Sequence, residues 1–333
     1  DLLVPLTLVP LETATRVWYL LNIALLALTA VMFAALLGKR LRAGPFALVL
    51  FSALCFTPSL QCLTDGQITI ALLALWTLAL LLYRRGWPVA AGAVFALAAA
   101  IKLTPVIVLL PLLIWRQWRA LTGFVLSFAL LALISLGING PAALETYVHR
   151  VLPAMSGAIP SATNYALPAA TQRVVTLLRV GTVPTNLPPL PSSTIFVGRA
   201  ASAFVLLAFA LLLWRRRRQL LLGDQVLILG LLALLAPVTS PVSWFHAYAT
   251  AWVAFALLWW DALTRAVPVT FLLLLFFCSL CLGTAVFENL LSSPAVSSSP
   301  AEACLLQLTQ LLAAAALVCY RAWQVPAHHD ALA

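Results

Sequence analysis

Apolar residues in this chain do not alternate with polar ones; they come in runs of a dozen to two dozen, broken by short clusters of Arg, Lys, Asp, Gly and Pro. A hydrocarbon core about 30 Å thick takes about 20 apolar residues per helix, and fewer where a helix is short or packed inside a bundle. The pattern predicts helical spans near 17–37, 46–63, 68–83, 88–101, 104–115, 120–138, 194–214, 220–240, 247–262, 267–287 and 303–320. The expected fold class is all-α, a polytopic transmembrane helical bundle of about 11 spans. Continuous Leu- and Ala-rich runs without a period of two exclude a membrane β-barrel.

Residues 1–333 read as a single transmembrane domain. Within it, 139–193 is the only extended segment without a span, and loops of that length in a compact protein carry function or are disordered. Leu144–Val151 and Gln172–Val180 have the pattern of short amphipathic helices lying in the interface, and Val183–Ser193 that of a Pro-rich connector. Glu288–Glu302 reads as a Ser-rich flexible connector. Residues 1–16, apolar and broken by Pro5 and Pro10, read as an outer-face remnant of a longer N-terminal region. No internal repeat of fixed period is visible, against an inverted-repeat transporter.

Composition agrees: 64% of the 333 residues are hydrophobic and 8% charged, against about a quarter charged in an ordinary soluble domain. The net charge of +10 reports topology, not a nucleic-acid partner, because the basic residues cluster between spans. Thirteen of the 19 Lys and Arg fall in Gly38–Pro45, Arg84–Trp87, Arg116–Arg119, Trp214–Gln219, Asp261–Arg265 and the segment after Tyr320. These links alternate so as to share one face, and the positive-inside rule makes it the cytoplasmic one. The N-terminus is then outside and the C-terminus cytoplasmic, in a multi-pass protein of the plasma (inner) membrane. The same alternation puts Lys102 and Pro105 at the outer apex of a short hairpin and Asp65-Gly66-Gln67 on that outer side.

The six cysteines lie in or beside apolar runs and read as small buried hydrophobes. Cys278 and Cys281 form a lone CxxC, and without a second pair no metal site is expected from it.

Four groups carry candidate chemistry. An intramembrane cation such as Lys102 is costly unless paired or near an interface, and on an outer apex it fits the phosphate of a lipid-linked substrate; the bland alternative is a snorkelling lysine that marks a helix end. Asp65 and Gln67 flank a glycine and fit sugar hydroxyls, or else a plain turn in which Asp65 caps the next helix. Ser243, Trp244 and His246 gather a hydroxyl, an indole and an imidazole in one Pro-bent turn, or form an aromatic interfacial belt. Asn164 and Arg173 lie in the long outer segment, where Arg173 reads as a second phosphate contact or as a solvated arginine. No P-loop, GxGxxG, zinc-spaced His/Cys set or Ser-His-Asp arrangement is present.

In order, Asp65-Gly66-Gln67, Arg84-Arg85-Gly86, Lys102-x-x-Pro105, Asn164-x-x-Leu167 with Arg173, and Ser240-Pro241-Val242-Ser243-Trp244 with His246 resemble glycosyltransferase family 87, the polyprenyl-phosphate-mannose-dependent mannosyltransferases of the GT-C class. Trp18-x-x-x-Asn22 agrees too. The chain departs from the family where a second histidine normally follows the first: here the residue is Ala247. The resemblance implies a GT-C-like membrane hexosyltransferase of the cell envelope. It would move a hexose, mannose first among them, from a polyprenyl-phosphate-sugar donor to a lipid or glycan acceptor on the extracytoplasmic face, with inversion. In that chemistry a carboxylate deprotonates the acceptor hydroxyl while cations stabilise the departing phosphate.

Lys102, Arg173 and His246 are then expected at the donor phosphate, and Asp65, Gln67, Asn164, Ser243 and Trp244 at the substrate. The family's catalytic acid lies in the first outer loop, so the base is expected upstream of residue 1, and Asp1 is not assigned that role. The expected partners are the lipid-linked donor, the acceptor and the membrane, without nucleic acid; no cofactor or divalent metal is assigned. Two other readings stay open. A flippase for a lipid-linked sugar needs a polar path through the bilayer, and a non-catalytic scaffold needs Lys102 and Asp65 far from His246.

Overall fold

The computed structural model describes residues 4–38, 43–156, 161, 163–181, 192–265, 267–284 and 300–324. Asp1, the basic residues Lys39, Arg40 and Arg42, nearly all of the Val183–Ser193 connector, most of Glu288–Glu302 and residues 325–333 lie outside these. Among the described residues the fold is all helical: every predicted apolar run is a helix or a helix pair, and no strand forms.

The N-terminal half begins with α1 (Leu11–Leu36), entered through Pro10. A bent pair follows, α2 (Ala43–Cys55) and α3 (Thr57–Thr64), joined at a 67° break. The break has a local cause: Pro58 occupies the first turn of α3, and its ring forbids continuation of the preceding helix. Next come α4 (Thr69–Arg84) and α5 (Pro88–Ile101), a 3-10 turn over Thr104–Val108, and α6 (Leu109–Ile114).

Helix α7 (Trp118–Thr146) is longer than its predicted span 120–138. The expected long loop therefore does not start at 139: the helix kinks at Gly140 (φ 76°, ψ 169°), just before Pro141, and continues through a π-helical turn into α8 (Leu152–Ser156). A short apolar segment cannot leave its backbone groups unpaired near a membrane, so helix is the default even where the hydropathy is poor. The second amphipathic helix forms and starts earlier than expected, at Leu167. Helix α9 (Leu167–Val180) buries Leu167, Ala169, Ala170, Gln172 and Arg173 against the helices over Ser192–Arg216 and Pro300–Gln324, and leaves Leu178 and Val180 exposed.

The C-terminal half is α10 (Ser192–Arg216), α11 (Leu222–Thr239), a 3-10 turn over Phe245–Thr250, α12 (Ala251–Thr264), α13 (Val269–Gly283) and α14 (Pro300–Gln324). Helix α11 is apolar all round, as a helix inside a bundle must be. Ile228, Leu229, Leu231, Leu232, Ala233, Leu234 and Leu235 are all completely buried, and α4, α10, α12 and α14 surround it.

Among the described residues five helices are long and apolar enough to cross a membrane, six if the bent pair α2–α3 counts as one. They are α1, α7 with its extension to Met155, α10, α11 and α14. The structure thus gives an integral membrane protein with fewer clear spans than eleven. Helix α5, at 14 residues, extends about 21 Å at 1.5 Å per residue, short of a 30 Å core.

Close helix approach in a bilayer depends on small residues, and α5 and α7 meet backbone to backbone. A Cβ added to Gly92 would lie 1.9 Å from the Ala120 carbonyl oxygen, and one added to Gly123 would lie 2.1 Å from that of Val89. That contact fixes α5, whose far end carries Lys102.

Candidate active site

Three turns from distant parts of the chain converge: the end of α3, the end of α5 and the 3-10 turn before α12. The first is a left-handed helix cap. Asp65 ends α3, Gly66 takes φ 64°, and the Gln67 N–H donates to the Cys62 carbonyl at 2.9 Å. This six-to-one closure needs a residue without a Cβ at its left-handed position. The Gly66 carbonyl then points to α1 and accepts the Trp18 indole N–H at 2.9 Å. Asp65 is exposed and touches the Thr64 hydroxyl at 3.3 Å, while Gln67 is half-buried. It does not cap the next helix, for α4 is preceded by Ile68 and lacks a side-chain cap.

The second turn holds Lys102. Helix α5 stops at Ile101, and Lys102 is extended (φ −150°, ψ 126°) before Pro105 opens the 3-10 turn. A cation is favoured at a helix C-terminus by the macrodipole. Yet the side chain is half-buried, and among the described residues its ammonium makes no hydrogen bond and no ion pair. Burial holds its pKa below the ordinary lysine value.

The third turn begins where α11 ends at Thr239 and runs extended to Trp244. It is tied to α3 by the Cys62 thiol, which donates to the His246 carbonyl at 3.2 Å. His246 is 9% exposed. Burial and the nearby Lys102 ammonium push its imidazole below the usual histidine value, and the Asp65 carboxylate pulls the other way. The Lys102 ammonium and the Asp65 carboxylate thus both lie close enough to act on the His246 imidazole, and both act on the Cys62 thiol as well.

Asn164 staples the long segment to this turn. It is completely buried, its Oδ1 accepts the N–H groups of Ser243 at 2.8 Å and Ala166 at 3.2 Å, and its Nδ2 donates to the Pro241 carbonyl at 3.3 Å. The Tyr165 N–H donates to the Ser243 carbonyl at 2.6 Å, and the Tyr248 hydroxyl to the Tyr165 carbonyl at 2.6 Å. Ser243 is buried at 1% exposure and Trp244 is half-buried, in a single antiparallel bridge with Asn164.

Arg173, expected at the donor phosphate, is engaged by groups of the protein itself. It is 2% exposed, and its guanidinium donates to the carbonyls of Ser161 and Asn164 and to Gln307 Oε1 of α14. Its fork closes on internal acceptors, so it holds the Asn164 turn from behind. Burial lowers its pKa to about 10. Tyr248 and Gln307 did not stand out in the sequence as functional; a glutamine inside an apolar run was the available signal for Gln307.

A surface groove lined by Trp87, Pro88, Val89 and Arg119 lies at the opposite end of α5 and does not join this cluster. Among the described residues no three His, Cys, Asp or Glu side chains group together as a metal site.

The family model of glycosyltransferase family 87 matches residues 2–241. That stretch holds Asp65, Gln67, Lys102, Asn164 and Arg173, and it ends just before Ser243, Trp244 and His246. No curated protein and no solved structure matches the chain.

Proposed function

This chain belongs to glycosyltransferase family 87 and is a membrane glycosyltransferase, and we propose that it moves a hexose, mannose first among them, from a polyprenyl-phosphate-sugar donor to a lipid or glycan acceptor on the extracytoplasmic face. The observation that carries the reading is Lys102. A half-buried ammonium with no protein counter-ion among the described residues is costly unless a ligand supplies the negative charge.

In this reading the acceptor hydroxyl oxygen attacks the anomeric carbon. The bond from that carbon to the phosphate oxygen breaks, and its electron pair leaves with the polyprenyl phosphate. Lys102 neutralises the charge that develops there, and His246 donates a hydrogen bond to the same phosphate. Asp65 and Gln67, on their exposed turn, take the sugar hydroxyls. Arg173, Asn164 and Ser243 do not touch substrate; they fix the turn on which Trp244 and His246 sit. We assign the base that receives the acceptor proton to none of these residues.

The test is transfer of mannose from radiolabelled polyprenyl-phosphate-mannose into membrane lipids, together with binding of that donor to the purified protein in nanodiscs. Lys102→Ala removes one charge-assisted contact, a loss of about 1.5–3 kcal/mol, and weakens donor binding by roughly 10- to 100-fold. Equal donor affinity in wild type and variant would refute the phosphate assignment.

A further inference from the structure

We propose that the arginine-rich end of α10 is a binding site for an anionic phospholipid, with its acyl chains along one stripe of the helix and its phosphate on the arginines. The stripe is Phe204, Leu207, Leu211 and Trp214, all between 52% and 72% exposed. These positions recur at three and four residues and so share one face of the helix. Arg215 lies one turn beyond Leu211 on that same face, and Arg216, Arg217 and Arg218 follow without a break.

Two of the four guanidinium groups are fixed in place by aromatic rings. Arg217 sits 3.7 Å above the Trp214 ring and donates to the Trp214 carbonyl at 2.8 Å. Arg216 sits 4.7 Å above the Trp323 ring, a stack that joins α10 to α14. A guanidinium held by its face keeps N–H donors on its edge, the geometry that takes phosphate oxygens two at a time. Arg215 and Arg218 are exposed beside them. Half-exposed Trp214 and Trp323 place this end at the headgroup level, where indoles settle.

Among the described residues no carboxylate pairs with these charges. The C-terminus of α10 supplies about half a negative charge against four positive ones. The Asp224 carboxylate accepts the Leu221 N–H at the start of α11, and Asp261 is held by Arg265 and Arg321. Charge complementarity therefore selects a lipid with a net negative headgroup over a zwitterionic one, whose ammonium the patch repels. The exposed apolar stripe selects a lipid over free phosphate.

The experiment reconstitutes the full chain in vesicles of equal phosphatidylglycerol and phosphatidylcholine, extracts it in mild detergent and measures the lipids retained by mass spectrometry. Wild type is expected to retain phosphatidylglycerol several-fold above its bulk share. Arg215→Gln with Arg218→Gln, both exposed positions, lowers that enrichment at least twofold, whereas Arg85→Gln with Arg119→Gln, which removes the same charge elsewhere, preserves it. Retention at the bulk ratio by wild type overturns the site. So does equal loss in the two double variants, which would mean net charge alone, or unchanged enrichment in the first.

Discussion

The Asn164 side-chain oxygen accepts the backbone N–H of Ser243 at 2.8 Å, across 79 residues of sequence. Through that bond the segment after α8 and the turn after α11 share one small patch of backbone, with the Tyr165 N–H on the Ser243 carbonyl beside it. His246 stands three residues beyond Ser243, so its position depends on a residue that does not touch it.

Replacing Asn164 with alanine tests that dependence. The change strands the Ser243 and Ala166 N–H groups and the Pro241 carbonyl, in a site that is completely buried. An unmade buried hydrogen bond costs about 1–3 kcal/mol. Thermal unfolding in detergent should show a loss of roughly 2–5 kcal/mol, and donor binding should weaken with it. A variant as stable as wild type would mean that the staple contributes nothing.

The pH dependence follows from the depressed imidazole of His246. Below the ordinary histidine value, about 6.5, the unfolded chain binds a proton that the folded chain resists, so this residue's contribution to stability is present above that value and is lost as the pH falls below it. Donor binding runs the other way. A phosphate beside His246 raises the imidazole pKa, so binding takes up a proton and tightens as the pH drops from 8 to 6. Measured in nanodiscs, the trend should be present in wild type and flat in His246→Gln. A flat wild-type profile would remove His246 from the phosphate.

Helix was legible in the sequence nearly everywhere, since an apolar run beside a membrane has no other way to satisfy its backbone. Crossing was not. The runs that became α5 and α11 look alike, yet α5 is a 14-residue helix pinned to α7 at a pair of glycines, and α11 is an 18-residue helix at the centre of the bundle. Hydropathy measures what a segment tolerates around it, and tertiary packing decides where it goes.

The same limit governs the site. A lysine in an apolar run and an Asp-Gly-Gln turn stand out because either is costly or conformationally special in isolation. The role of Arg173 did not stand out: an arginine suits a phosphate and a set of buried carbonyls equally well, and its partners at Ser161, Asn164 and Gln307 are settled only by folding.

The backbone contact between α5 and α7 predicts a steep size limit. At Gly123 even a methyl group would sit 2.1 Å from the Val89 carbonyl oxygen, so Gly123→Leu must push the helices apart, at a cost of about 1–3 kcal/mol or more. Gly137 in the same helix has nothing within 4 Å of its would-be Cβ, and Gly137→Ala should leave stability unchanged or raise it slightly, by the helix propensity of alanine. Equal melting temperatures for the two variants would show that α5 and α7 are not held in this register.

A buried charge cluster at the end of α12 gives the last prediction. Asp261 is 5% exposed and accepts from Arg321 at 2.6 and 2.7 Å and from Arg265 at 3.1 Å, joining α12 to α14. Removing one member of a buried pair leaves the other uncompensated, at about 3–5 kcal/mol, whereas replacing both by apolar residues of similar volume is often neutral. Asp261→Asn should therefore destabilise the protein in thermal unfolding by about that amount. Asp261→Leu combined with Arg321→Leu should cost much less, because Arg265, at the helix end, reaches the interface once its partner is gone. If the double variant were as unstable as the single one, the cluster would be stabilising through its attraction and not merely avoiding an unpaired charge.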